Sequence, residues 1–246
     1  MREIKADSSS DALTHVVPPL GYPEFIFYVR KLDQIKNAAQ CHQGLIKGQY
    51  NRVQKIDFTP NYHFLSIVMK PYGLKQLFNI DARELLNAVV ALELHPTTQE
   101  LLNFIDQQPI DVQLVQGLAG ALLQFPHFPI TEVTQSFIQA VKTTQNDPIH
   151  KLAKTRGIGL RTLQRNFKKE VGLTPSEFVR IIRMNRIEHR LAETNNVFDI
   201  IADFDFADQS HFVKEFKQWR NHPPQTFLKQ KLLLSDQLPA PEYTYL

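Results

Sequence analysis

Cysteine is almost missing from this chain of 246 residues, and so are the features of secreted and membrane proteins. The single cysteine, Cys41, excludes an internal disulfide framework and any zinc site built from several cysteines. No run of eighteen apolar residues is present to form a transmembrane helix, and the N-terminus lacks the basic-then-apolar pattern of a signal peptide. We therefore expect a cytoplasmic protein that does not associate with a membrane.

Motifs of catalysis and cofactor binding are also absent from the sequence. It contains no P-loop, no G-x-G-x-x-G fingerprint and no G-x-S-x-G nucleophile elbow. The N-terminal histidines never show the H-x-H or H-x-x-x-H spacing of paired metal ligands; they are His15, His42, His63, His95 and His127. We therefore expect no cofactor, no metal ion and no catalytic residue.

Charge is distributed unevenly along the chain. The net charge is only +3, but residues 147–231 hold 16 Lys and Arg against 10 Asp and Glu, which gives +6. The remainder holds 12 against 15, which gives −3. A basic segment in an otherwise slightly acidic chain favours contact with phosphates, as in nucleic-acid binding.

A predicted helix in the basic segment has one apolar and one basic stripe. Leu160, Leu163, Phe167 and Val171 recur at helical spacing and form the apolar stripe. A second stripe has three cations and one amide but no carboxylate: Arg161, Gln164, Arg165 and Lys168. Arg and Gln hydrogen-bond base edges in a major groove, and Lys suits phosphates. A short helix from Pro148 and a turn at Gly157 precede it, so the pattern predicts a helix-turn-helix.

The same pattern recurs about 48 residues further along the chain. Asn196 is placed to cap a short helix, and a turn at residues 204–206 separates it from a helix that starts at Asp208. Phe212, Phe216 and Trp219 form the apolar stripe of this second helix. A long helix from Pro175 lies between the two units as a spacer. Two units at fixed separation can read successive major grooves about one helical turn, ~34 Å, apart.

These residues resemble the C-terminal DNA-binding domain of AraC/XylS-type transcription regulators. The resemblance covers about a third of the chain, and its longest stretches are Arg161-Thr-Leu-Gln-Arg-Asn-Phe-Lys-Lys-Glu-Val-Gly172 and Phe206-Ala-Asp-Gln-Ser-His-Phe-Val-Lys-Glu-Phe-Lys217. It implies that Arg161, Gln164 and Arg165 read bases in the first unit. In the second unit it implies the same role for Gln209, Ser210, His211 and Lys214. Lys168 and Lys217 are interpreted as phosphate contacts.

The chain departs from the family pattern at four positions. Gly159 stands where the family usually has a capping Ser, and Ile201 where it has a small Ala. Asp205 and Asn221 each replace a usual Gly, and Asp and Asn enter the left-handed region more readily than most other residues. The last three changes fall in or beside the second unit. They leave open that this unit contacts mainly the DNA backbone.

The N-terminal part combines predicted strands with predicted helices. Runs at residues 25–29 and 63–69 are rich in β-branched and aromatic residues, and residues 49–58 hold a weaker candidate strand. We expect loose structure over residues 1–15, and helices over 74–78, 82–94, 98–105, 110–123 and 131–144. Residues 66–80 are similar to the join between the cupin-like sensor domain and the helical linker of some of these regulators. We therefore expect a small antiparallel β-barrel-like domain.

The predicted architecture is an α+β fold with an all-α C-terminal domain that contains two helix-turn-helix units. We expect a β-rich, cupin-like sensor domain at 1–72, a helical linker or dimerisation region at 73–145, the seven-helix reader at 146–232 and a tail at 233–246. The expected function is sequence-specific transcription regulation on double-stranded DNA. The resemblance implies RNA polymerase, a small-molecule effector and a homodimer as further partners.

Two other classes of function stay open. A nonspecific or architectural DNA-binding protein would carry the same basic stripes but show salt-sensitive binding without sequence discrimination. A small-molecule enzyme fused to a DNA-binding module would show turnover by residues 1–145.

Overall fold

The computed structural model describes residues 2–5, 13–28, 44–58, 63–91, 120, 127–143, 154, 157 and 159–234. The strands are β1 (Arg2–Lys5), β2 (Leu13–Val17), β3 (Glu24–Tyr28), β4 (Gly44–Lys47), β5 (Gln54–Phe58), β6 (His63–Val68) and β7 (Val89–Ala91). The helices are α1 (Gly73–Phe78), the 3₁₀ helix Ala82–Leu85, α2 (Glu132–Thr143), α3 (Leu160–Val171), α4 (Pro175–Thr194), α5 (Val197–Asp203), α6 (Gln209–Arg220) and α7 (Pro224–Leu234).

The strands form two antiparallel sheets. The larger has the order β1-β6-β3-β4-β7, and the smaller pairs β2 with β5. Phe25 on β3 and Ile46 on β4 are fully buried on one face of the larger sheet, where the rings of Phe25 and Phe78 of α1 meet edge to face at 5.2 Å. This N-terminal antiparallel sheet and the C-terminal helices confirm the predicted α+β fold class.

The sequence predictions for the N-terminal part were right for some elements and wrong for others. The strands expected near residues 25–29, 49–58 and 63–69 are present as β3, β5 and β6. Residues 1–15 were expected to be loose, but β1 and part of β2 lie there, because they find partners in β6 and β5. The predicted helices at 98–105 and 110–123 lie outside the described residues, apart from Gly120, which is helical.

The prediction of a helix over residues 82–94 was wrong. One 3₁₀ turn ends at Leu86, Asn87 takes a left-handed conformation with φ 58°, and β7 follows. Helical periodicity was misleading because Val89 to Ala91 complete the edge of the larger sheet beside β4, and tertiary pairing overrides local propensity. The predicted helix at 131–144 is confirmed as α2.

One continuous apolar core joins α2 to the helices that follow it. Phe167 of α3 lies between Phe137 of α2 and Phe178 of α4, with ring centroids 5.3 Å away on each side. Tyr22 of the N-terminal part belongs to the same buried cluster, and Leu20, Val68 and Tyr72 pack against it. The sheet therefore rests directly on the helical core that carries both predicted DNA-reading units.

Candidate nucleic-acid interface

The first candidate reading helix, α3, presents its predicted basic stripe to solvent. Leu163, Phe167 and Val171 are fully buried, which fixes the rotation of the helix about its axis. The opposite stripe is therefore exposed along its whole length and consists of Arg161, Gln164, Arg165 and Lys168. Among the described residues, neither Arg161 nor Arg165 has an ion-pair partner. Both guanidinium groups are available to an external acceptor.

Both ends of α3 are set by glycine. Gly159 is the N-cap in an extended conformation, so the replacement of the usual Ser is tolerated, although no side-chain cap is made. Gly172 ends the helix with φ 88°, and a Cβ there would lie 2.7 Å from the carbonyl oxygen of Ala82. The 3₁₀ helix therefore approaches the end of α3 so closely that only glycine fits there. The helix predicted from Pro148 lies outside the described residues except at Lys154, which is helical, and Gly157 turns with φ 62° as predicted.

A buried carboxylate fixes α3 to α2. Glu170 is only 5% exposed, although it belongs to the reading helix. Its two oxygens accept hydrogen bonds from the backbone N–H and the hydroxyl of Thr131, at 3.1 and 2.9 Å. Thr131 directly precedes α2, so the start of that helix and the last turn of α3 are connected. These directional hydrogen bonds fix the position of α3 relative to α2 in addition to the apolar packing between the two helices.

The spacer helix α4 begins with a complete capping box. Thr174 Oγ1 accepts from the backbone N–H of Glu177 at 3.2 Å, and Glu177 Oε2 accepts from the backbone N–H of Thr174 at 2.7 Å. Burial would raise the pKa of Glu177, but the hydrogen bonds from Thr174 and Asn51 and the charge of Lys168 outweigh it, so this pKa lies below its ordinary value. The cap is therefore built around an ionised carboxylate.

The spacer helix also holds the second unit through two arginine contacts. Arg183 forms an ion pair with Glu215 at 3.2 Å, donates to the carbonyl of Phe204 at 2.9 Å and lies over the ring of Phe206. Arg183 is therefore a structural residue. Further along α4, Glu188 accepts from Trp219 Nε1 at 2.7 Å and from the guanidinium of Arg220. Sequence reasoning did not find this second contact, because its residues lie 31 and 32 positions apart.

The second candidate reading helix, α6, has the predicted polarity. Asp208 caps it by accepting from the backbone N–H of His211 at 2.7 Å, and Phe212, Phe216 and Trp219 are buried. The predicted contact residues are all exposed: Gln209, Ser210, His211, Lys214 and Lys217. The ring of His211 meets the ring of Phe206 at 5.4 Å, so this side chain is partly held in place.

The departures in the second unit are accommodated without loss of the motif. Asp205 and Asn221 take left-handed conformations, with φ of 53° and 61°. Asp and Asn adopt this conformation more readily than most other residues. Ile201 is half-buried and packs against the core, and its carbonyl accepts from the N–H of Phe206. Asn196 caps α5 by accepting from the N–H of Phe198. The turn between α5 and α6 is therefore formed despite the unusual residues.

Neither a metal-binding cluster nor a membrane-spanning helix is found among the described residues. Over these ranges, no group of three or more His, Cys, Asp or Glu side chains is arranged to hold a metal ion. No helix among the same residues is long and apolar enough to span a bilayer.

The chain is similar to known proteins at both ends. A family model described as a helix-turn-helix domain matches residues 152–230, and one described as a domain of unknown function (DUF6597) matches residues 3–91. The HTH-type transcriptional activator RhaS of Escherichia coli (strain SE11) is 32% identical over 74 residues, which are 30% of this chain and 27% of that protein. RhaS of Yersinia pestis (strain Pestoides F) is 32% identical over 80 residues, which are 32% and 29% of the two chains.

The match therefore spans less than a third of the length of these curated relatives. A crystal structure of ToxT from Vibrio cholerae aligns over 93% of this chain and 97% of its own, with a TM-score of 0.50 and 12% identity. At that identity the alignment shows a shared fold. At the C-terminus, residues 152–230 match the helix-turn-helix domain model, and the chain is similar to the HTH-type transcriptional activator RhaS over about a third of its length.

Proposed function

We propose that this chain regulates transcription by binding double-stranded DNA sequence-specifically through two reading helices. The observation that carries the proposal is the pair of exposed polar faces on α3 and α6, both fixed to the spacer helix α4 by buried contacts. Two faces on one rigid support suit two neighbouring segments of the major groove. Transcription regulators of the AraC/XylS type, which the C-terminal residues resemble, are generally not enzymes. We propose that this chain is not an enzyme either.

The proposed roles of the side chains follow from their chemistry. In the first groove, Arg161 and Arg165 donate to guanine O6 and N7, and Gln164 pairs with adenine. In the second groove, Gln209, Ser210, His211 and Lys214 approach base edges near the start of α6. Lys168 and Lys217 neutralise phosphates and set the register of each helix on the duplex.

Further partners belong to the same proposal. We propose that the sheet domain binds a small-molecule effector, that two copies of the chain associate on DNA, and that the bound protein contacts RNA polymerase in the cytoplasm. We also propose the predicted division into an N-terminal sheet domain, a linker and a reader, with the sheet domain extended to residue 91 because β7 pairs with β4. Support comes from the resemblance of the N-terminal part to a sensor domain and from its direct packing on the reader.

The decisive test is a selection of bound duplexes from a random DNA pool, made with the full chain. Enrichment of two short sequence blocks about one helical turn, ~34 Å, apart is the expected result. A single block would assign the second unit to backbone contact. Salt-sensitive binding with no enriched sequence would overturn the proposal in favour of an architectural protein.

A further inference from the structure

The loop that follows β4 reaches across to the first turn of the spacer helix. Asn51 Nδ2 donates a 2.8 Å hydrogen bond to Glu177 Oε1, and the two residues are 126 positions apart in the sequence. The other oxygen of the same carboxylate, Oε2, accepts from the backbone N–H of Thr174 in the capping box. One side chain therefore connects the N-terminal sheet to the start of α4.

Asn51 is itself held firmly on the N-terminal side. Its Oδ1 accepts from Asn87 Nδ2 at 2.9 Å, and its backbone N–H donates to Asn87 Oδ1 at 3.2 Å. Asn87 donates in turn from its backbone to the carbonyl of Gln49 at 2.7 Å. Gly48 lies so close to the carbonyl of Leu85 that a Cβ would overlap it at 1.9 Å. The loop and the 3₁₀ helix thus form one small rigid body.

That body contacts the junction of α3 and α4 at two points. Ala82, at the start of the 3₁₀ helix, lies against Gly172, which ends α3. Asn51 bonds to Glu177, which caps α4. Between these points lie Leu173 and Thr174, which form the turn between the reading helix and the spacer, and the first two residues of α4. Contacts on both sides of a short turn restrict the angle between the two helices.

We propose that Asn51 is a positioning residue for the first reading unit, and that the N-terminal sheet sets the orientation of α3 in the groove through the Asn51–Glu177 hydrogen bond. This inference rests on the proposed function. The second unit is held by Arg183 and Glu188, further along α4. Loss of the Asn51 contact should therefore weaken reading of one half-site and spare the other.

Asn51→Asp is a sharp test of this role. Aspartate keeps the acceptor that Asn87 needs, but it loses the donor to Glu177 and places two carboxylates together. In the double variant with Glu177→Gln, the new amide can donate to Asp and keep its oxygen towards Thr174. The two residues therefore exchange the roles of donor and acceptor. The double variant should recover the affinity for the first half-site that Asn51→Asp loses.

Asn185→Ala supplies the matched control. Asn185 on α4 also bonds across to the N-terminal part, by donating to the carbonyl of Leu20 at 3.1 Å. It lies about three turns beyond the start of α4, so its loss weakens docking of the sheet without releasing the α3–α4 junction.

The measurement is the affinity of each full-length protein for the selected operator and for two derivatives with one half-site scrambled, with thermal unfolding followed in parallel. Asn51→Asp should lose roughly three- to tenfold in affinity for the derivative that retains the first half-site, and nothing for the other. The double variant should restore the wild-type ratio of the affinities for the two scrambled derivatives. Asn185→Ala should leave that ratio unchanged.

Three results would overturn the inference. One is that Asn51→Asp has the wild-type ratio of affinities for the two derivatives, although the wild-type chain binds DNA sequence-specifically. The second is an equal loss on both derivatives, and the third is the same shift of ratio in Asn185→Ala. A wild-type chain without sequence preference would instead overturn the proposed function, and this inference with it.

Discussion

At the scale of single residues, four arginines of the helical region fall into two contrasting pairs. Arg183 and Arg220 are partly buried and bound to carboxylates of the protein, Glu215 and Glu188. Arg161 and Arg165 are exposed on α3. A guanidinium that stays exposed on a helix whose other face is fully packed is available to bases or phosphates. The environment of each arginine therefore separates candidate DNA contacts from structural residues.

Substitution of Arg165 tests base reading at one position. Arg165→Ala should remove a bidentate contact and reduce discrimination at one base pair of the first half-site by ~1–3 kcal/mol. The measurement is the affinity for the selected operator and for each single-base variant of it. Lys168→Ala is the comparison, since loss of a phosphate contact should lower affinity for all sequences and reduce the salt slope by about 1. A uniform loss in Arg165→Ala would reassign that residue to the backbone.

At the scale of elements, the short 3₁₀ helix has more influence than its length suggests. Its first residue, Ala82, contacts the C-cap of α3, and the turn that follows it holds Asn51 through Asn87. The sequence indicated an ordinary amphipathic helix here. The structure instead places a compact turn between the sheet and the reading helix, because a longer helix would include the residues of β7 and remove that strand from the sheet.

A comparison of two glycines tests the contact between the 3₁₀ helix and α3. Gly157 and Gly172 both have positive φ, of 62° and 88°, but only Gly172 is close to a neighbouring backbone. Gly157→Ala should cost about 1 kcal/mol in free energy of unfolding, from backbone strain alone. Gly172→Ala should cost at least ~1 kcal/mol more, because the new methyl group overlaps the Ala82 carbonyl. Urea denaturation measures both, and equal losses would argue against the close approach.

The cap of α4 predicts a dependence of stability on pH. Because the pKa of Glu177 is lowered in the folded state, its carboxylate stabilises the fold above the ordinary glutamate pKa. That stabilisation is lost as the pH falls through the lowered value. Asp81 acts in the same direction, because the hydrogen bond from Arg83 lowers its pKa.

We expect Glu177→Gln to be less stable than wild type at neutral pH, with a smaller further loss on acidification below about pH 4.5. Urea unfolding at a series of pH values measures this, and parallel curves for the two proteins would contradict it. Asp81→Asn tests the second carboxyl in the same way.

At the scale of the whole molecule, the sheet and the reader share one core. Tyr22 is buried in the helical cluster, and a Cβ on Gly21 would lie 3.2 Å from side-chain atoms of Ile181 and Ile182. Hydrogen bonds from Asn51 and Asn185 cross the same boundary. Packing of this kind couples the stability of the two parts, so that a change in the sheet is transmitted to the reader through direct contacts.

Shared packing predicts a single cooperative unfolding transition. Trp219 is the only tryptophan in the sequence and reports on the reader, and infrared absorption of the strands reports on the sheet. The two thermal transitions should coincide in the wild-type chain and separate in Gly172→Ala. Two separate transitions in the wild type would mean that the sheet and the reader are only loosely joined.

Local chemistry was sufficient to predict the reader. Helical spacing of Leu163, Phe167 and Val171, with a cap at Asn196, defined which faces are buried and which are exposed, because a packed helix has only one choice of rotation. The proposed contact residues followed from the resemblance to AraC/XylS-type regulators, and in the first unit also from the polar stripe of the helix. The fold class followed from the β-branched and aromatic runs at β3 and β6 and from helical periodicity beyond residue 130.

Tertiary structure alone decided how the parts are joined. No local pattern places Asn51 beside Glu177, Glu188 beside Trp219 or Ala82 against Gly172, since the two residues of each pair lie 31 to 126 positions apart. Nor does local propensity identify β1 or β7, which exist because neighbouring strands offer them hydrogen bonds. The sequence by itself determined two reading helices; long-range packing determined the support on which they are held.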